Sequence, residues 1–379
     1  MRNFIPLSVP NLKGNELEYV SNAIKDEWVS TAGAQITTFE KNISKYVSSI
    51  DAVACQSGTA GLHLALLAYD VGVNDEVIVP ALTFIATVNP VKYVGAEPVF
   101  MDCDDSLCID LNKLAEFCES ECFFRDGNLF NKLTNKHIKA IICVHIFGSM
   151  ADMESLMTLA NKFNLVVIED ATEALGSYYT SGCYKGRYAG AIGDIGVYSF
   201  NGNKIITTGG GGAVVSSDKI KLEYIRYLSK QAKDDEMYFD HSNIGYNYRM
   251  TNLQATMGIA QLEQLEEFIK IKKINYDRYV ENRIELIQFS DIIRPNYWFY
   301  SYKTNRRDEL ISYLNAKQIQ SRPIWRLINT LKPYLGCQEY KVEKAYEYLS
   351  RVVNLPCSTN LSLDEVDYIC MNIKQFEAN

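Results

Sequence analysis

The stretch "SFNGNKIITTGGGGAVVSSD", residues 199–218, sets one lysine, Lys204, between a short apolar run and four consecutive glycines. Most lysines are solvated charges. Lys204 instead follows a segment with the texture of a buried strand, and the glycines let backbone come very close. In a crowded pocket an ammonium loses its hydration, and the neutral amine that results can attack a carbonyl and form a Schiff base.

Three other places carry residues that could act with it. Ser57–Gly58–Thr59 opens a helical segment. It reads either as an ordinary N-cap or as a cup where an anion meets backbone N–H groups at the positive end of a helix. Asp170 ends the apolar run "LVVIED". It either caps the next turn or, being poorly exposed, meets a cation or strong donor. Glu169 points to the opposite side and reads as solvated or capping. Phe84 in "LTFIAT" is a core aromatic or a flat face for a planar ligand. His145, at the end of "AIICVHI", is a satisfied polar group or a contact to substrate or cofactor. A Schiff base suits a cofactor aldehyde. A pyridine cofactor also needs a phosphate site, a carboxylate on its ring nitrogen and an aromatic face. Ser57–Thr59, Phe84 and Asp170 match those needs ahead of Lys204, and the conjunction says more than any one member.

The elements that must position these residues are legible as alternation. Apolar runs at "AVAC", "EVIVP", "EPVFMD", "IKAIICVHI", "NLVVIED", "IGVYSF" and "GGAVVSS" are separated by helix-period segments such as "TAGLHLALLAYD". That pattern predicts an α/β fold with a mostly parallel, seven-stranded sheet covered by helices. Ligands then bind at the carboxyl ends of the strands, where the residues above are expected to converge. After residue 218 long amphipathic helices dominate. A boundary near 235 is expected, with a large domain over 1–235 and a smaller α+β domain over 236–379.

Composition bounds the rest. A net charge of −8 and a pI near 5.3 argue against nucleic acid or an anionic membrane as a main partner. The N-terminus shows no signal core, and no apolar run is long enough to span a bilayer. A cytoplasmic protein is expected. The 10 cysteines form no repeating frame and the 4 histidines offer no matching ligand set. Reduced thiols and no metal site are therefore expected.

The motifs together resemble a known family. "GNELEYVSNAIKDEWVSTAGAQITTFE", "SGTAGLHLAL", "VIVPALTFIAT", "VIEDATEALGS", "GDIGVYSFNGNKIITTGGGGAVV", "IGYNYRMTNLQATMG" and "NLPCSTNLSLDE" run nearly end to end. They are similar to the DegT-type sugar-nucleotide aminotransferases, pyridoxal-phosphate (PLP) enzymes of the aspartate aminotransferase fold, fold type I. The resemblance implies that Lys204 carries the cofactor, Asp170 pairs with its ring nitrogen and Phe84 stacks on the ring. It also implies that Gly58, Thr59 and Ser199 bind the phosphate, completed by Asn247 from a partner subunit in a homodimer with shared active sites. L-glutamate would be the amino donor, cycling the cofactor through pyridoxamine phosphate. Arg249 and Arg322 are candidates for the substrate diphosphate.

Two departures from the common pattern matter. Glu173 replaces a glutamine that lies against the ring, and Gly210 replaces a glutamate in the glycine run. Both resemble a subgroup acting on UDP-linked 4-keto-6-deoxy amino sugars in the legionaminic acid and bacillosamine pathways, of use in lipopolysaccharide and other surface glycans. "IPLSVPNLKGNE" and "QSRPIW" point the same way. The rivals are the same chemistry on a GDP-linked ketosugar giving perosamine, and a non-catalytic PLP-binding sensor. Dehydratase relatives carry histidine in place of the lysine. A nicotinamide enzyme fails on context, because "GGGG" precedes a strand and opens no helix.

Overall fold

The computed structural model describes residues 4–235 and 237–378. Helices α1 (Glu16–Lys25) and α2 (Ala34–Tyr46) lead into an alternation of β1 (Asp51–Cys55), α3 (Gly58–Ala68), β2 (Asp75–Pro80), α4 (Ile85–Tyr93), β3 (Glu97–Met101) and α5 (Leu111–Ser120). The hairpin β4 (Cys122–Arg125) and β5 (Asn128–Asn131) precedes β6 (His137–Val144), α6 (Met153–Phe163) and β7 (Val166–Asp170). Then come β8 (Tyr178–Tyr179), β9 (Ile195–Ser199), β10 (Gly212–Ser216), α7 (Lys219–Ser229), α8 (Asn252–Leu262) and α9 (Leu265–Glu281). The last hundred residues hold β11 (Ile293–Arg294), β12 (Tyr300–Lys303), α10 (Arg307–Ala316), β13 (Arg322–Pro323), β14 (Glu339–Tyr340), α11 (Lys344–Arg351), β15 (Val352–Leu355) and α12 (Leu363–Glu377).

All seven expected strands form, in the order β1-β10-β9-β7-β6-β2-β3. Only β10 runs against its neighbours, so the other six share one direction. Their carboxyl ends therefore lie along one edge. The strands are buried on both faces, as continuous Val/Ile runs require. Helix α3 is apolar nearly all round because it packs between the sheet and its neighbours α4 and α7.

The sheet is wider than expected. β14 adds a parallel edge strand beside β3, and the β4–β5 hairpin joins antiparallel to β6. The hairpin turns on Asp126 and Gly127, both at positive φ (53° and 77°), which suits a two-residue turn. β14 is only two residues long and carries no periodicity of its own. Asp102, just past β3, anchors it nearby by accepting from Lys113 Nζ (2.7 Å) and from the N–H groups of residues 343–345 at the start of α11.

The chain past residue 235 does not at once leave the large layer. α8 packs on α1 and α2 of the large layer, so the passage to the smaller layer comes at α9, which packs on α12. A capping box of Thr251 and Gln254 starts α8 there. The smaller layer holds the antiparallel sheet β12-β15-β13. The N-terminal strand segment joins this layer and leaves the large one: Ile5 bridges Ile319, Leu7 N–H donates to Gln320 Oε1 (2.9 Å) and Cys357 N–H donates to Leu7 O (2.9 Å). Among the described residues no helix is long and apolar enough to cross a membrane.

Candidate active site

The carboxyl edge of the sheet and the smaller layer enclose a cavity of about 570 Å³, a size that suits a small organic ligand. Gly58, Thr59, Phe84, Asp170, Glu173, Ser199, Lys204 and Arg322 all line it. All but Arg322, which comes from β13 of the smaller sheet, end or follow a strand on the same edge of the large sheet.

Lys204 stands in the turn after β9, its N–H donating to Asn201 O (3.0 Å). Its side chain is 12% exposed. Nζ lies 3.8 Å from Glu173 Oε1 and 4.4 Å from the centre of the Trp298 ring. The indole is itself fixed, donating from Nε1 to Asn203 O (2.7 Å). Two of the four glycines are explained by what a side chain there would touch. A side chain on Gly212 would meet Ser57 backbone at 2.6 Å, and one on Gly211, at φ +146°, would meet Thr208 Oγ1 at 2.4 Å. The bare chain thus lets β10 press against the start of α3.

That start is where the sequence placed a candidate anion cup. Ser57 caps α3, its side chain accepting from Ala60 N–H at 3.0 Å. The N–H groups of Gly58 and Thr59, in the first turn, have no partner within the helix. A Cβ on Gly58 would come within 2.9 Å of Ser199 Cβ and 3.0 Å of Thr172 Cγ2. The glycine therefore keeps the space between the helix start, Ser199 and Thr172 open.

Asp170 ends β7 and is 3% exposed. Oδ2 accepts from Thr87 Oγ1 (2.7 Å), which also bonds Thr83 Oγ1 (2.8 Å), and Oδ1 accepts from Thr172 N–H (3.1 Å). The carboxylate is oriented and keeps lone pairs for a further donor. Phe84, at the N-cap of α4, is 49% exposed, an unusual state for a large aromatic on a cavity wall. Its ring centre is 5.8 Å from that of Trp325. Glu173 is 4% exposed, and its Oε2 accepts from Phe147 N–H at 2.8 Å. Burial pushes its carboxyl up to about 7, against the opposing pull of the Lys204 charge.

Three expected residues do not line this cavity. His145 is fully buried: Nε2 donates to Glu169 Oε2 (2.7 Å) and Nδ1 accepts from Ala151 N–H (3.3 Å), so neither ring nitrogen is left for a substrate. Glu169 is correspondingly not solvated. It is fully buried and accepts from the N–H groups of Gly190 and Ile192 (2.8 and 2.7 Å). Burial pushes its carboxyl up, but the His145 and backbone hydrogen bonds outweigh this and hold it below the usual range. Arg249 is spent on Glu40, a carboxylate only 3% exposed that also binds Arg226 Nη1 (2.7 Å). A buried carboxylate needs such cations, so Arg249 is structural. Asn247 is exposed on the segment following the 230s and does not line the cavity of its own chain.

The sequence reading missed Thr87, Thr172, Trp298, Trp325 and Gln320, all cavity-lining. Thr83 and Thr87 were visible as an i, i+4 pair around Phe84. Nothing local marks Trp298, which reaches Lys204 from 94 positions away.

The donor set fits pyridoxal phosphate: an amine beside the cavity, an oriented buried carboxylate, an exposed aromatic and a helix start held open by glycine. The comparisons agree. Residues 10–374 match the DegT/DnrJ/EryC1/StrS aminotransferase family. The chain is 40% identical to a GDP-perosamine synthase of Escherichia coli O157:H7, covering 98% of both. It is 28% identical to a UDP-4-amino-4,6-dideoxy-N-acetyl-beta-L-altrosamine transaminase of Campylobacter jejuni, covering 96% of this chain and 95% of that one. Among solved structures it resembles the PLP form of a putative sugar aminotransferase, Spr1654, from Streptococcus pneumoniae, at 26% identity, a TM-score of 0.87 and 98% coverage of each. The chain thus belongs to the DegT/DnrJ/EryC1/StrS aminotransferase family and works as a PLP-dependent aminotransferase.

Proposed function

We propose that the enzyme moves an amino group from L-glutamate to the 4-keto carbon of a nucleotide-linked 4-keto-6-deoxy sugar. The observation that carries this is Lys204 on the wall of a cavity that also holds Asp170, the α3 anion cup and, at its exposed side, Arg322. When bound, the cofactor supplies an electron sink and a carrier for the amino group. Lys204 would hold it and would move the proton at the substrate carbon. Asp170 keeps the ring nitrogen protonated, Phe84 covers the ring face, and Gly58, Thr59 and Ser199 hold the phosphate. Arg322 reads the sugar-nucleotide diphosphate.

The GDP-linked sugar is the first choice, supported by the 40% identity to a GDP-perosamine synthase. The UDP-linked 2-acetamido sugar, favoured by Glu173 and Gly210, is second, with a relative at 28% identity. A panel of GDP- and UDP-4-ketosugars with L-glutamate, read as 2-oxoglutarate release, separates them. The GDP sugar should turn over with the highest kcat/KM. No release with any member of the panel would sink the ketosugar reading.

The active site is shared in a homodimer. Among the described cavity-lining residues Lys204 and Arg322 are the only cations, and Asn247 is free to reach a neighbouring subunit. Mixing Lys204→Ala and Asn247→Ala protomers should then raise activity above either parent. One site of each hybrid carries both lesions and the other carries neither. If mixing gives only the parental average, with subunit exchange confirmed independently, the site is built from one chain.

A further inference from the structure

Glu173 has a geometry that its neighbours alone do not require. Its main-chain carbonyl accepts from Asn296 Nδ2 (2.8 Å) and its Oε2 from Phe147 N–H (2.8 Å). Phe147 supplies that N–H from a left-handed turn, φ 55°. One carboxyl oxygen is thus pinned on a turn of a strained kind. The other, Oε1, faces Lys204 Nζ at 3.8 Å in a wall where Glu173 is only 4% exposed.

We propose that Glu173 is the proton-exchange partner of Lys204: Oε1 takes a proton from the ammonium and returns it, leaving the lysine as a free amine on the cavity wall. The step balances without a co-reactant. The N–H bond breaks with its electron pair staying on Nζ, and an O–H bond forms at Oε1. An ion pair becomes a neutral pair, which a poorly hydrated site favours because no charge is left to desolvate. The separation exceeds a hydrogen bond by under about 1 Å, which torsions of the flexible lysine stem cover.

The charged groups facing Glu173 are Lys204, on the turn after β9, and Asp170, at the end of β7. The segments at Phe147 and Asn296 bring only an N–H and an amide to it. Lys204 favours the ionised carboxyl and Asp170 opposes it, while burial, the largest influence, raises it to about 7. Below neutrality Glu173 is already protonated and cannot accept. Above it, the pair shares one proton, and part of the population holds a free amine. A glutamine at this position could not do this. The inference rests on the aminotransferase reading of the cavity and is independent of which sugar is used.

Two measurements on the full-length protein test it. In the first, cofactor-free protein is acylated with acetic anhydride across pH, and modification of the Lys204 peptide is followed by mass spectrometry. The wild-type rate should climb about tenfold per pH unit, level off above neutrality, and climb again when the last proton leaves. Glu173→Asp should keep the plateau. Glu173→Gln should show one unbroken climb, and a plateau surviving in Glu173→Gln overturns the proposal. The second needs no change at Glu173. With glutamate carboxyls labelled in ¹³C, NMR should show one carboxyl titrating near neutrality. Its midpoint should move to higher pH in Lys204→Ala, because the cation that lowers it is gone. A midpoint that stays in place, or no such carboxyl, equally overturns it.

Discussion

Lys204→Ala is expected to abolish transamination, with turnover falling about ten-thousandfold or more, the upper range for losing a positioned proton-transfer group. On the proposed assignment the variant loses the amine that holds the cofactor as well as the group that moves the proton. Chemical perturbation alone would point elsewhere. Lys272 is also buried, 4% exposed, and burial lowers its pKa. Its ammonium, however, donates to Trp298 O (3.1 Å) and Cys357 O, and it does not line the cavity. Lys272 is a strut between the Trp298 segment and the end of β15, whereas Lys204 faces open space. Borohydride treatment of the PLP-loaded protein should therefore fix a pyridoxyl group on the Lys204 peptide. A label on Lys272, or on any other lysine, would reject the assignment.

What the sequence showed and what it hid divide along physical lines. The seven main strands were legible because strands buried on both faces read as continuous apolar runs. β14 and β13 are two residues each, too short for any period. The Asp126–Gly127 turn was a readable hairpin signal that the β–α alternation overshadowed. Asp170, at the end of β7, was reached by the rule that ligands gather at carboxyl ends, which needs only topology, whereas Ser199, at the end of β9, was named only through the family resemblance. Trp298 and Trp325 were not found, since they arrive from the smaller layer through long-range packing.

His145 and Arg249 show the limit from the other side. Both sit where a ligand group should sit, but a local reading cannot tell whether a polar group is consumed by an internal partner. Here Glu169 and Glu40 consume them. Strand alternation correctly sent Glu169 to the face opposite Asp170. It could not reveal that the 190–193 loop covers that face and closes over the carboxylate.

Asp170→Asn should lower turnover by at least about a hundredfold, the scale of losing a positioned electrostatic group, while leaving the fold intact. Asparagine has the same size, and its amide oxygen can still accept from Thr172 N–H. The amide nitrogen would then face Thr87. That hydroxyl can turn to accept, since it already shares a hydrogen bond with Thr83 in which either oxygen can be the donor. The buried site is therefore re-satisfied without a cavity or an orphaned group, and thermal unfolding should change little. On the proposed assignment, what is lost is the negative charge that would hold a proton on the ring nitrogen, and with it the electron sink that both half-reactions need. Turnover measured beside Tm separates the two effects. A large fall in turnover at an unchanged Tm is the expected result. Turnover near wild type, with the variant folded, would show that Asp170 orients the loop at Thr172 and does not act on the ring.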